Sequence, residues 1–220
     1  MKPALTIFLK EFRSELRTRY ALNALLMFVV TTISIILFAV GNEDASPEVL
    51  AGVLWVIIFF SSMSGMARVF VAEEERGTVM TLQLIAEPLT VYFGKLLFNV
   101  VLLGVINAVA VTLYLLVIDA FVVKSLGIFV LTVLFGTLGL ASASTIIAAI
   151  IAKANTRGTL YPVLSFPILL PLLLTVIRTT QLAVDGAPFS EALDMMRILI
   201  SYIVAITAIS YLVFDYIWRD

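Results

Sequence analysis

The densest patch of chemistry-bearing side chains is Glu73-Glu74-Glu75-Arg76, three adjacent carboxylates and a guanidinium, followed at once by Gly77-Thr78. Adjacent carboxylates can hold a metal, act as an acid–base pair, or steer a charged partner. For the first two uses the chain offers no fuller constellation, since its 220 residues include no histidine and no cysteine. That removes structural zinc, disulfides, Cys–His and Ser–His nucleophiles, and the usual protein ligands of haem. No paired buried acids are available for general acid–base work. No GxxxxGK[ST] phosphate loop exists, since Gly94-Lys95 lacks the earlier glycine and the following hydroxyl. Steering remains, and charges at the rim of an interface set association rate more than affinity. The chain is expected to bind no cofactor and no metal and to have no catalytic residue. Any ATP it depends on must sit on another chain. A net charge of −1 offers no basic surface for nucleic acid.

The elements that must carry this patch are membrane helices. Apolar residues make up 62% of the chain and charged residues 13%, against roughly 45–50% and 25% in an ordinary soluble domain. Lipid is therefore the solvent. Crossing roughly 30 Å of hydrocarbon takes about 20 apolar residues in a helix, and six stretches qualify, at 20–42, 49–67, 96–118, 125–152, 158–177 and 198–217. None shows the ten-residue alternation of a β-barrel strand. The expected fold is all-α and integral to the membrane, one domain over 1–220. The first span has Ala39-Val40-Gly41 near its end, but its apolar run is too long for a signal peptide, so it is read as a retained helix. Of the 14 Lys and Arg, only Lys124, Arg178 and Arg197 fall on the side opposite the N-terminus. The positive-inside rule then predicts both termini in the cytoplasm.

Residues 1–19 carry Leu5, Phe8, Leu9, Phe12, Leu16 and Tyr20 at spacings of three and four, which predicts an amphipathic helix along the inner membrane face. In the second cytoplasmic segment, Gly77-Thr78 predicts a turn and a helix cap. Val79, Leu82 and Ile85 or Ala86 then form a short apolar stripe that stops before Pro88. Residues 186–197 place Phe189, Ala192, Leu193 and Met196 opposite Glu191, Asp194 and Arg197, which predicts a helix resting at the outer interface. Ser61 with Gly65, and Gly136 and Gly139 with Ala143, supply small residues for close helix packing. Pro162, Pro167 and Pro171 predict that span five is kinked or partly unwound. No span carries a charge at its centre, which disfavours ion coupling through buried carboxylates.

Several of these residues also carry a likeness. Gly52-x-x-Trp55-Val56, Ser61-Ser62, Arg68-x-Phe70, the acidic cluster, Gly77-Thr78, Leu82, Pro88-Leu89 and Lys95 follow one another in a recognisable order. Gly136-Thr137, Arg157-Gly158 and Pro167-x-x-x-Pro171 continue it. The pattern resembles the CcmB family, the membrane subunit of the ABC transporter of cytochrome c maturation, and more broadly the ABC-2 type permeases. Met80, Ala24, Ala39 and Leu138 stand where the family pattern differs, as in a divergent member.

The resemblance implies a six-helix permease of the bacterial inner membrane with an N-terminal interfacial helix and a cytoplasmic coupling helix over 73–88. It implies a CcmA-like ATPase that binds ATP, and a CcmC-like membrane subunit and a periplasmic chaperone that handle haem; two copies of this chain per ATPase dimer would be the simplest complete transporter. Glu73, Glu74, Glu75 and Arg76 would then steer the ATPase, Gly77, Thr78 and Pro88 would shape the coupling helix, and Val79, Leu82 and Leu84 would give the apolar contact. On that reading Leu82→Asp releases the ATPase, and spans two and five move when ATP binds. An exporter subunit for a lipid, polysaccharide or drug, and a scaffold without an ATPase, are the competing readings.

Overall fold

A computed structural model describes residues 2–40, 45–66, 69, 70, 73, 77–153 and 157–219, and among these residues the secondary structure is entirely helical. The helices are α1 (Lys2–Thr18), α2 (Tyr20–Val40), α3 (Pro47–Met66), α4 (Val79–Ile85), α5 (Pro88–Val117), α6 (Leu126–Ala152), α7 (Arg157–Asp185) and α8 (Phe189–Arg219). Six of them, α2, α3 and α5 to α8, are long and apolar enough to cross a membrane.

The long α6 is the centre of the bundle. It packs on α3, α5, α7 and α8, and residues 139–149 are buried almost without interruption. Small side chains there let its neighbours close in. A Cβ on Gly136 would overlap the Trp55 ring of α3, and one on Gly139 would lie 2.7 Å from Leu172 Cδ1 of α7. Ala143 is fully buried beside them. On α3, a Cβ on Gly65 would meet Leu25 of α2 at 2.6 Å, while Ser61 turns its hydroxyl back to the Ile58 carbonyl at 3.1 Å. Polar side chains then pin the helices: Trp55 Nε1 donates to Thr180 Oγ1 (2.8 Å), Asn99 Nδ2 to Thr145 Oγ1 (2.7 Å) and Asn107 Nδ2 to Thr137 Oγ1 (3.0 Å). Such bonds hold interhelical register where there is no water to compete.

Three expectations are corrected. The outer interfacial helix over 186–197 does not exist as a separate element. After a turn at Gly186 (φ 80°) the chain enters α8 at Phe189 and stays helical to Arg219. Thirty-one residues span about 46 Å, well beyond the hydrocarbon. The first turns are amphipathic because one side packs through Ala192, Met196 and Leu199 while Asp194 and Arg197 stay exposed.

The fifth span is not unwound. α7 is helical from Arg157 to Asp185, and Pro167 and Pro171, one turn apart, lie on its exposed side. The proline rings therefore do not disturb the packed face. Tyr202 of α8 donates to the Ile168 carbonyl (2.9 Å) within this stretch. The side chain of Pro162 lies outside the described residues.

The third span begins at Pro88 rather than 96. A charge-free criterion stops at Lys95, but the helix runs through that residue. The helix over 1–19 is present as α1 (Lys2–Thr18), and the face it packs on the bundle is distinct from its apolar stripe. Ile7 is buried, whereas Leu5, Leu9 and Leu16 are exposed.

Candidate functional site

The end of the molecule that carries α1 also gathers α4, the start of α5 and the end of α8. Helix α1 lies against α5 because Gly94 has no side chain, and a Cβ there would sit 2.7 Å from Ile7 Cβ and 2.8 Å from the Ala4 carbonyl. Ala4, Ile7 and Glu11 fall three and four apart and so share this inward face. The chain then turns sharply at Arg19 (φ 51°). Glu15 Oε1 accepts the Leu22 amide at 2.9 Å, placing a carboxylate at the N-terminus of α2, where the helix dipole favours it.

Lys95 follows Gly94 and is completely buried. An unpaired buried ammonium would be very costly. Its Nζ instead has Glu11 Oε1 at 2.9 Å, the Val69 carbonyl at 2.9 Å and Glu73 Oε1 at 3.6 Å, and it stands over the Phe70 ring with 5.0 Å to the centroid. An ammonium has three hydrogens to offer, and three oxygens surround this one. Glu73, 4% exposed, completes the cluster by pairing with Lys10 Nζ through Oε1 and accepting the Thr78 hydroxyl through Oε2. Two lysines thus neutralise two glutamates and tie α1, the 69–78 segment and α5 into one unit.

Electrostatics fit this geometry. Burial by itself would raise the Glu73 pKa, but Lys95, Lys10 and the Thr78 hydroxyl outweigh it and lower the value from 4.5 to about 2. Lys10 is shifted upward, since Glu73 and Glu11 outweigh its own desolvation. A depressed carboxylate stabilises the fold fully above its unfolded value and loses that contribution as pH falls toward the folded one. The thermal unfolding midpoint of the full chain in detergent is therefore expected to fall as pH drops from 4.5 to about 2 through Glu73. Glu73→Gln should flatten that limb; an unchanged acid limb in the variant would remove the carboxylate from the lock.

Several predicted roles move. Glu73 is an interior structural charge, not a steering charge at a rim. Glu74, Glu75 and Arg76 lie outside the described residues, as does Arg68. Gly77 makes the expected turn, with φ 65°. Thr78 is the N-cap residue of α4 but makes no side-chain cap; its φ and ψ of −93° and −5° are helical, and its hydroxyl goes to Glu73. Pro88 opens α5 as its first residue, after Ala86 and Glu87 leave the helical region.

Of the three expected apolar contacts on α4, Leu84 stands outward and the other two do not. Val79 and Leu82, three apart, are buried within the chain. Outward stand Leu84, 87% exposed, with Met80 and Ile85 at 77% and 75%. Lys10 and Glu11 lie far from Lys95 in sequence, and spacing alone does not bring the three together as one site. The available signal was a lone lysine within a long apolar run, which demands a carboxylate partner.

A family model described as "CcmB protein" matches residues 2–214. The chain belongs to the CcmB family. No curated protein matches it. CcmB proteins are the membrane component of the haem-exporting ABC transporter of cytochrome c maturation, so this CcmB chain is a multi-pass membrane protein of transport, not itself an enzyme.

Proposed function

We propose that this chain is the permease subunit that converts ATP hydrolysis on a CcmA-like partner into movement within the membrane during haem delivery. The observation that carries the reading is α4. Three exposed apolar side chains, Met80, Leu84 and Ile85, stand on a seven-residue helix whose other face is anchored. In this scheme α4 and both termini lie in the cytoplasm, and α1 rests along the inner membrane surface with Leu5, Leu9 and Leu16 toward lipid. Two copies per ATPase dimer make the simplest complete transporter.

ATP-driven closure of the ATPase displaces α4. Because Glu73 joins Lys10 and Lys95, the displacement enters α1 and α5 together instead of bending a loose loop. Helices α3 and α7 follow through the Trp55–Thr180 bond. Haem ligation and ATP binding belong to partners, among them a CcmC-like subunit and, indirectly, a periplasmic chaperone. Two tyrosines support this, because their hydroxyls are engaged, the buried Tyr114 on the Leu50 carbonyl and the half-buried Tyr202 on that of Ile168. The deciding test is purification of the tagged chain from its native membrane. A co-purifying protein with a GxxxxGK[ST] loop and loss of c-type cytochromes on deletion are expected; a chain that purifies with no ATPase overturns the reading.

A further inference from the structure

Beside α4 lies a groove of about 510 Å³, walled by residues 83–88 on one side and by Trp218 and Arg219 of α8 on the other. The two walls are tied together, since the Gln83 side-chain amide donates to the Trp218 carbonyl. Trp218 is only 4% exposed and stacks on Phe214 at 5.6 Å and 17°, with Phe70 edge-on at 6.1 Å. Phe70 is the ring beneath Lys95. The groove is thus built onto the same lock as α4.

Within this wall, Trp218 Nε1 is enclosed and has no hydrogen-bond partner among the described residues. It is an unmade bond that a docked molecule completes by parting the Gln83–Trp218 contact. The rim carries Glu87 and Arg219, one charge of each sign, and the exposed Leu84 and Ile85 border the same groove. We infer that the last turn of α8 is the second wall of the ATPase docking site, so that the soluble partner inserts an apolar side chain flanked by a carbonyl or carboxylate between α4 and Trp218. This rests on the docking reading of α4 above. It places the last span in direct contact with the motor, alongside α5 and α1, and α8 packs on the central α6. A tryptophan anchoring the helix in lipid headgroups would instead present its N–H outward to the membrane interface, and this indole is enclosed by Phe70 and Phe214.

The absence of cysteine permits a clean test, because any introduced thiol is unique in the chain. Leu84→Cys and Arg219→Cys, both at exposed positions, are each labelled with a maleimide-benzophenone in native membranes holding the whole complex. After irradiation, adducts are identified by mass spectrometry. Both positions are expected to capture the protein that carries the GxxxxGK[ST] loop, with Leu126→Cys as the distant control that does not. Capture by Leu84→Cys alone, with Arg219→Cys yielding only lipid or nothing, overturns the second wall and leaves the α4 reading standing. Failure at both positions overturns the docking reading and this inference with it. Trp218→Phe keeps the stack and removes the N–H, and is expected to weaken ATPase association about fivefold; undiminished association removes the hydrogen bond from the proposal.

Discussion

Lys95→Met is expected to be the most damaging single substitution in the chain, lowering stability by about 3–5 kcal/mol, the usual cost of removing one partner from a buried ionic group. The side chain is fully enclosed and faces Glu11 and Glu73. Without it, Glu11 loses its partner across the α1–α5 interface, and Glu73 keeps only Lys10 and Thr78. Methionine is close to lysine in volume, so loss of packing contributes little and the electrostatic term is isolated. The measurement is the unfolding midpoint of the full chain in detergent, followed by fluorescence-detected size exclusion. A companion variant separates charge from shape. Lys95→Met combined with Glu11→Gln and Glu73→Gln removes the uncompensated carboxylates and is expected to recover most of the loss, because replacing a whole buried ionic group is far milder than orphaning one member. Equal stability of Lys95→Met and the unmodified chain would mean that the four charges are not a lock.

The sequence made the six spans legible because unbroken apolar runs have no other use, and it made the α4 turn legible because Gly77 and Pro88 bracket a short stripe. Pairings between distant segments were not legible. Lys95 looked like the edge of a span, since a count of charges along the chain cannot register that Glu11 and Glu73 neutralise one. Ile7 is not legible as a packing residue because it lies off the apolar stripe that marks the membrane face of α1. In a membrane protein the most apolar face can be the one turned to lipid, and the packed face can carry a glutamate. The same ambiguity affected residues 186–197. An amphipathic pattern describes a helix lying on a membrane and equally the emergent end of a long span packed on one side. Trp55–Thr180 and Asn99–Thr145 join residues 125 and 46 positions apart; one chain read alone offers no signal for either.

The α4 face gives a second large expectation, and it moves the releasing substitution from Leu82 to Leu84. Leu84→Asp is expected to leave the fold intact, since the side chain is 87% exposed and surface substitutions usually change stability by less than about 0.5 kcal/mol. It should nevertheless weaken ATPase association by about 2 kcal/mol, roughly thirtyfold, the scale of an apolar anchor at the centre of an interface. Leu82→Asp is expected to behave differently. Its side chain is buried against the body of the chain, so a carboxylate there must be desolvated without a partner, and folding and association fail together. The pair of variants therefore distinguishes a docking residue from a supporting one in a single experiment, by reading unfolding midpoint and ATPase pull-down side by side. Folded Leu84→Asp that retains the ATPase at full yield would exclude this face of α4 as the contact. A well-folded Leu82→Asp that releases the ATPase would restore the stripe of Val79 and Leu82 as the docking surface, and would require α4 to turn over when its partner binds.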